Sequence, residues 1–212
     1  ATVDVAAPRC VAFDWQGKLC YVSDTTRMRA SVTTQGIANT RILAEGLVFT
    51  QSMCTDKNEN IYVGHSGDAH VSIYDSSGAF IRRIGSKTTW PPPVGPYDLK
   101  RLGSVKGVTI DGQDRLWVGE GNYIPKRVSV WTLEGELIKE FVGGATKYGG
   151  GGILDPRDTT LFYVTSDYGR GCMEFKLDWA TGEYRLNTLL ANHRDKERPD
   201  QSSRQFYQVP RD

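Results

Sequence analysis

Four stretches of the chain repeat one arrangement of apolar and polar positions. Each has a short apolar run closed by aspartate, a polar turn, an aromatic and β-branched run, and then alternating positions. They read VAFDWQGKLCYVSD from Val11, MCTDKNENIYVGH from Met53, VTIDGQDRLWVGE from Val108 and ILDPRDTTLFYVTS from Ile153. Their aspartates, Asp14, Asp56, Asp111 and Asp155, are spaced 42, 55 and 44 residues apart, and an insertion in the second interval accounts for its greater length. A period in the forties with several short strands per unit is the signature of a β-propeller.

Each unit divides in the same way. Strand A is the apolar run before the aspartate, and a turn rich in Gly, Asn and Asp follows, as a hairpin requires. Strand B carries Tyr21-Val22, Tyr62-Val63, Trp117-Val118 or Tyr163-Val164. Strand C alternates clearly in HVSIYD from His70 and RVSVWT from Arg127, the period of a half-buried strand. A second turn leads to strand D, FIRRIG from Phe80 or LIKEFVG from Leu137. No window has a helical period. The expectation is an all-β chain of four-stranded antiparallel blades, with Phe13, Tyr21, Tyr62, Ile73, Ile110, Trp117, Val130, Phe162 and Phe175 buried between sheets.

Composition narrows the functions. Apolar residues make up 39% and charged residues 24% of the 212, with a formal net charge of +1. A near-neutral chain is not built to grip nucleic acid or anionic lipid, and no apolar run reaches the length of a membrane helix. The chain begins at Ala1 rather than Met, which reads as a processed or trimmed mature chain. Cys10, Cys20, Cys54 and Cys172 include no C-x-x-C pair, so a zinc ribbon, a thioredoxin-type site and a c-type haem lack support. Two disulfides and four buried thiols both remain open.

PRCVAFDWQGKLCYVSD, and VTIDGQDRLWVGE followed by KRVSVWTLEGELIKEF, resemble NHL repeats, with their P-x-x-V-A-x-D-x-x-G-x-L-Y-V-x-D opening and paired later strands. The resemblance runs over about residues 8 to 192, most strongly in the first three repeats. It implies blades over about 8–48, 49–104, 105–149 and 150–192, followed by a charged linker or tail over 193–212. NHL rings usually close with six blades, so four imply either a four-bladed variant or part of a longer ring. TVDVA at the start and RQFYQVP near the end are candidates for a closing or additional strand. An open sheet edge is an association hazard, so a partial ring calls for self-association or completion by another chain.

Function on such a scaffold belongs to the loops after strands B and D, which a rigid frame positions on one face. The strand B ends place Asp24, His65, Glu120 and Ser166, with Asp167 next, at equivalent positions. These are either turn-capping groups or a ligand or metal site. The insertion TTWPPPVGPYDLKR from Thr88 sets Trp90, three prolines and Tyr97 in one loop, a stiff mount for flat apolar surfaces. GGATKYGGGG from Gly143 contributes Tyr148 and lets backbone approach closely. It lacks the helix and Lys-Ser/Thr of a phosphate loop. GEGNYIPKR from Gly119 adds Glu120, Asn122, Tyr123, Lys126 and Arg127.

Two chemistries follow. Trp90, Tyr97, Tyr123, Tyr148, Lys126 and Arg127 form a ligand-binding face for a protein or glycan, in an extracellular or periplasmic binding module without a catalytic centre. Alternatively, Glu120, Asn122, Asp24 and His65 hold a divalent cation such as calcium. This loosely resembles the carboxylate-plus-amide sites of six-bladed lactonase propellers and implies a metal-dependent hydrolase or lyase. No motif along the chain matches that family. His65 and His70, five apart around Asp68, make a weaker metal candidate, and no G-x-S-x-G or H-E-x-x-H is present. A structural assembly subunit is the third reading.

Overall fold

The fold is taken from a computed structural model. It describes residues 7–17, 19–23, 27–32, 38–47, 49–86, 94–121, 126–143, 152–165 and 171–192. Over 19–23, 27–32, 38–40, 165, 171, 191 and 192 the backbone alone is described. The ends TVDVA and RQFYQVP, and the charged segment 193–212, lie outside these residues.

All regular structure among the described residues is β. The first sheet is β1 (Cys10–Phe13), β2 (Leu19–Ser23), β3 (Arg27–Val32) and β4 (Ala38–Glu45). The second is β5 (Thr50–Thr55), β6 (Ile61–His65), β7 (His70–Tyr74) and β8 (Phe80–Ile84). After the two-residue β9 (Gly95–Pro96), the third comprises β10 (Val105–Ile110), β11 (Arg115–Glu120), β12 (Lys126–Thr132) and β13 (Leu137–Gly143). The fourth comprises β14 (Gly152–Leu154), β15 (Leu161–Thr165), β16 (Gly171–Asp178) and β17 (Glu183–Asn192). Strands follow sequence order in every sheet, so each is an antiparallel meander of the kind that forms a propeller blade. The fourth gains β9 as an outer fifth strand, with Pro96 opposite Thr188 and Gly95 opposite Leu189.

The chain divides into two compact units. One holds Ala1–Trp90, Lys100–Gly121 and Val128–Glu140; the other holds Pro91–Leu99, Asn122–Arg127 and Phe141–Asp212. In the first unit, each sheet presents alternate residues to the sheets before and after it, as period-2 side chains must. Ala12 faces Met53, Ile61 and Val63 of the second sheet. Tyr62, Val71, Ile73 and Ile84 face Val105, Val108, Leu116, Val118 and Trp131 of the third. Gly64 permits this approach, because a Cβ there would lie 2.7 Å from Val105 Cγ1. The second unit has its own core of Val142, Met173, Phe175, Leu186 and Leu189.

Tyr62, Ile73, Val130 and Phe175 are buried as expected, while Ile110, Trp117 and Phe162 are half-buried. Phe13 is not buried: it is 55% exposed. The alternation along β1 turns Ala12 toward the second sheet, so Val11 and Phe13 point from the opposite face, where this unit has no further sheet. Tyr21 lies outside the described side chains.

Candidate functional site

The repeated aspartates explain why the same turn recurs. Each directly follows the first strand of its sheet. The Asp56 carboxylate accepts from the N–H groups of Asn58 (2.9 Å) and Asn60 (2.8 Å), from Asn60 Nδ2 (2.8 Å) and from the Tyr62 hydroxyl (3.2 Å). Asp111 accepts from the Gln113 and Arg115 N–H groups, from Arg115 Nε at 2.7 Å and from Trp117 Nε1 at 2.8 Å. Asp155 accepts from the Arg157 N–H and, more distantly, from the Tyr163 hydroxyl at 3.4 Å. The carboxylate thus caps the turn and ties down the aromatic residue of the next strand. The Arg115 and Trp117 donors hold the Asp111 carboxyl well below the usual carboxylate range. Asp56, Asp111 and Asp155 are structural.

The proposed ligand-binding face is described at three positions. Arg127 is 2% exposed. Its guanidinium donates to the Leu99 carbonyl at 2.7 Å and lies over the Tyr97 ring, 5.7 Å from the centroid. The Tyr97 N–H donates to the Asn187 carbonyl of β17 at 3.0 Å, and its side chain packs against the core of the second unit. The described end of the insertion is therefore strapped to the edge of the fourth sheet, which the sequence reading did not anticipate. Lys126 opens β12 and is half-buried. Trp90, Tyr123 and Tyr148 lie outside the described residues.

Of the candidate metal ligands, Asp24 and Asn122 also lie outside them. The Glu120 carboxylate accepts from the Gly103 N–H, while the Gly121 N–H donates to the Ser104 carbonyl, so Glu120 braces the entry to β10. His65 is buried and stacks on its cross-strand partner His70, with ring centroids 4.4 Å apart and planes 22° from parallel. His70 Nε2 lies 3.0 Å from Ser72 Oγ, and Nδ1 lies 3.3 Å from the Asp68 carbonyl oxygen. Burial, then the neighbouring His65, lowers the His70 pKa to about 4. Among the described residues no three His, Cys, Asp or Glu side chains gather closely enough to hold a metal.

Cys54 and Cys172 are free thiols. Burial pushes Cys54 and Cys172 up to about 12, helped by Asp56 and Glu174 respectively, so neither is an activated nucleophile.

The second unit holds a feature that no motif signalled. Val142, Leu154, Phe162, Phe175, Trp179 and Tyr184 help line an apolar cleft of about 500 Å³. The Tyr184 hydroxyl donates to the Val142 carbonyl at 3.2 Å and Trp179 Nε1 to the Thr159 carbonyl at 2.9 Å. Both polar tips are thus committed to backbone. Trp179, an aromatic in a polar turn, is the one signal that could have pointed to it, and the sequence reading did not single it out.

Successive four-stranded antiparallel sheets, with aspartate carboxylates capping the turn after the first strand in the second, third and fourth, define an all-β chain of β-propeller type. No protein-family model matches the sequence, and no curated protein matches it. Among solved structures, a chain of Kuenenia stuttgartiensis hydrazine synthase, a propeller-containing protein, is similar with a TM-score of 0.52 and 13% identity. The match covers 90% of this chain and 51% of that one, so the chain spans about half the length of its counterpart. A chain of a nidogen/laminin complex is similar with a TM-score of 0.49 and 12% identity over 86% of this chain and 82% of that one. At 13% identity the first likeness speaks to the fold alone. Among the described residues no helix is long and apolar enough to cross a membrane.

Proposed function

We propose that the chain is an NHL-like binding propeller, extracellular or periplasmic, that takes a protein or glycan on the loops following strands B and D and carries no catalytic centre. The observation that carries this reading is the seating of the insertion. Beyond Trp90 and the three prolines, the loop is held by β9, by the Tyr97 N–H on Asn187, and by buried Arg127 on Leu99. A loop stiffened by proline and anchored at its base loses little conformational freedom when it binds. Trp90, Tyr123 and Tyr148 supply the flat apolar contacts, Lys126 a peripheral charge, and Tyr97 with Arg127 the base on which the loop rests.

Trp90→Ala tests the assignment on a glycan array and on surface-captured candidate protein partners. The expected result is a loss of roughly 2 kcal/mol or more, about 30-fold in affinity, with unchanged thermal melting. A variant that melts and binds as the parent does removes Trp90 from the face. A variant that binds normally but melts lower makes Trp90 a packing residue instead.

A further inference from the structure

We propose that the outer edge of β17 at Glu183–Arg185 takes an extended peptide of a partner protein as an added strand, and that this peptide reads acidic, apolar, basic from its N-terminus. The proposal does not rest on the ligand assigned to the loops after strands B and D. Glu183 opens β17 next to the turn between the third and fourth strands, at the other end of the sheet.

The edge is open there. β17 runs for 10 residues, yet β9 pairs with it only at Thr188 and Leu189, and the Tyr97 N–H adds one bond to the Asn187 carbonyl. Among the described residues no strand pairs with the outer edge of Glu183, Tyr184 or Arg185. The Leu177 N–H donates to the Thr160 carbonyl at 2.7 Å, on the side of β15. In an antiparallel ladder the residue opposite then turns its own N–H and C=O away. Tyr184, opposite Leu177, therefore presents both groups to the open edge. Such an edge is a template for another strand.

Cavities flank it on both faces. The apolar cleft is lined by Tyr184 and Leu177. Their neighbours Lys176, Asp178, Glu183 and Arg185 alternate to the other face, where they line a groove of about 550 Å³. An added strand places successive side chains in pockets of this kind, its main-chain bonds giving affinity and the pockets specificity.

The register selects the peptide. Lys176 stands opposite Arg185, and Asp178 opposite Glu183, so the groove has a cationic end and an anionic end. Like charges directly opposite destabilise a sheet, so stability alone does not favour this arrangement. Lys176 is held by Thr160 and Asp158, and Asp178 accepts from the Ala180 and Thr181 N–H groups. The Glu183 carboxylate and the Arg185 guanidinium have no hydrogen-bond or ion-pair partner among the described residues. A strand antiparallel to β17, as β9 is, sets an acidic residue against Arg185, then an apolar residue beside Tyr184 over the cleft, then a basic residue against Glu183. The middle residue meets no free polar group, because the Tyr184 hydroxyl and Trp179 Nε1 are committed to backbone carbonyls. A second copy fits the charges but not the cleft. Glu183, Tyr184 and Arg185 have the same order, but two β17 edges paired about a two-fold axis set Tyr184 against Tyr184 and leave both clefts empty.

Fluorescence anisotropy with labelled acetyl-TEFKT-amide on the full chain tests the proposal. The parent should bind it saturably below millimolar concentration. The charge-reversed acetyl-TKFET-amide, and acetyl-TEFKT-amide carrying an N-methyl group on its phenylalanine, should each bind at least about 10-fold more weakly. Arg185→Glu should weaken acetyl-TEFKT-amide by a similar factor, and Glu183→Lys combined with Arg185→Glu should prefer acetyl-TKFET-amide. Both positions are exposed, and each variant should keep the parent's circular dichroism spectrum. No binding by the parent overturns the proposal. Equal binding of the N-methylated peptide overturns strand addition, and equal binding of the charge-reversed peptide overturns the register. A parent that dimerises in sedimentation velocity, with a dimer that Arg185→Glu breaks, overturns the partner peptide in favour of a second copy.

Discussion

Asp56 is 2% exposed and accepts four hydrogen bonds, two of them from backbone N–H groups of its own turn. Asp56→Ala leaves those donors and the buried Tyr62 hydroxyl without their acceptor, and an expected cost of about 2–4 kcal/mol follows. Urea denaturation of the variant measures it. His70 sets a pH dependence. It is neutral in the folded chain down to about pH 4, whereas the unfolded chain takes up the proton near pH 6.5. Between these values the unfolded state binds more protons, so stability is full above about pH 6.5 and falls as the pH drops through the window, by about 2–3 kcal/mol. Chemical denaturation at pH 7 and pH 4.5 should show this loss, and His70→Gln should flatten it.

At the scale of elements, the turn after the first strand of each of the first three sheets places a left-handed residue three positions beyond its aspartate: Gly17 (φ 71°), Glu59 (φ 63°) and Asp114 (φ 57°). Their N–H groups donate to the carbonyls of Asp14, Asp56 and Asp111 at 2.9, 3.1 and 3.1 Å. Glycine adopts this conformation without the strain that a Cβ brings. Glu59→Gly should therefore raise stability by up to about 1 kcal/mol, read as an increase in Tm. A decrease would show that Glu59 makes a contact worth more than its backbone strain. The turn between third and fourth strands uses the same device, with Asp75 capping the Ser77 and Ala79 N–H groups. There Gly78 (φ 94°) is obligatory, because a Cβ would lie 2.1 Å from the Leu43 carbonyl oxygen. These turns were legible in the sequence because an aspartate, its capped N–H groups and the tethered aromatic lie within about eight residues of one another.

Across the whole molecule, what distinguishes one apolar residue from another is whether a sheet covers it. Ile73 and Ile138 both stand in strands of four-stranded sheets, yet Ile73 is fully buried and Ile138 is 50% exposed. Ile73→Ala should cost about 2–5 kcal/mol through the cavity it leaves, while Ile138→Ala should stay within about 0.5 kcal/mol. Matched denaturation curves check both values. The repeat spacing, the strand alternation and the turn residues together specified the all-β class and the four-stranded unit, because period-2 side chains and turn capping are properties of neighbouring residues. The candidate site was less legible. Arg127 reads as a surface cation beside Lys126, but it is buried under a loop 28 residues earlier in the chain. His65 reads as an accessible strand end, but it lies stacked on His70 inside the second sheet. Phe13 reads as core, but its face of the first sheet has no neighbour within its unit. The pairing of β9 with β17 joins segments about ninety residues apart, and no local pattern announces it. Sequence alone determined the elements and the turns that join them. The tertiary structure decided which faces are covered and where the insertion is anchored, because both depend on contacts between distant residues rather than on the propensities of adjacent ones.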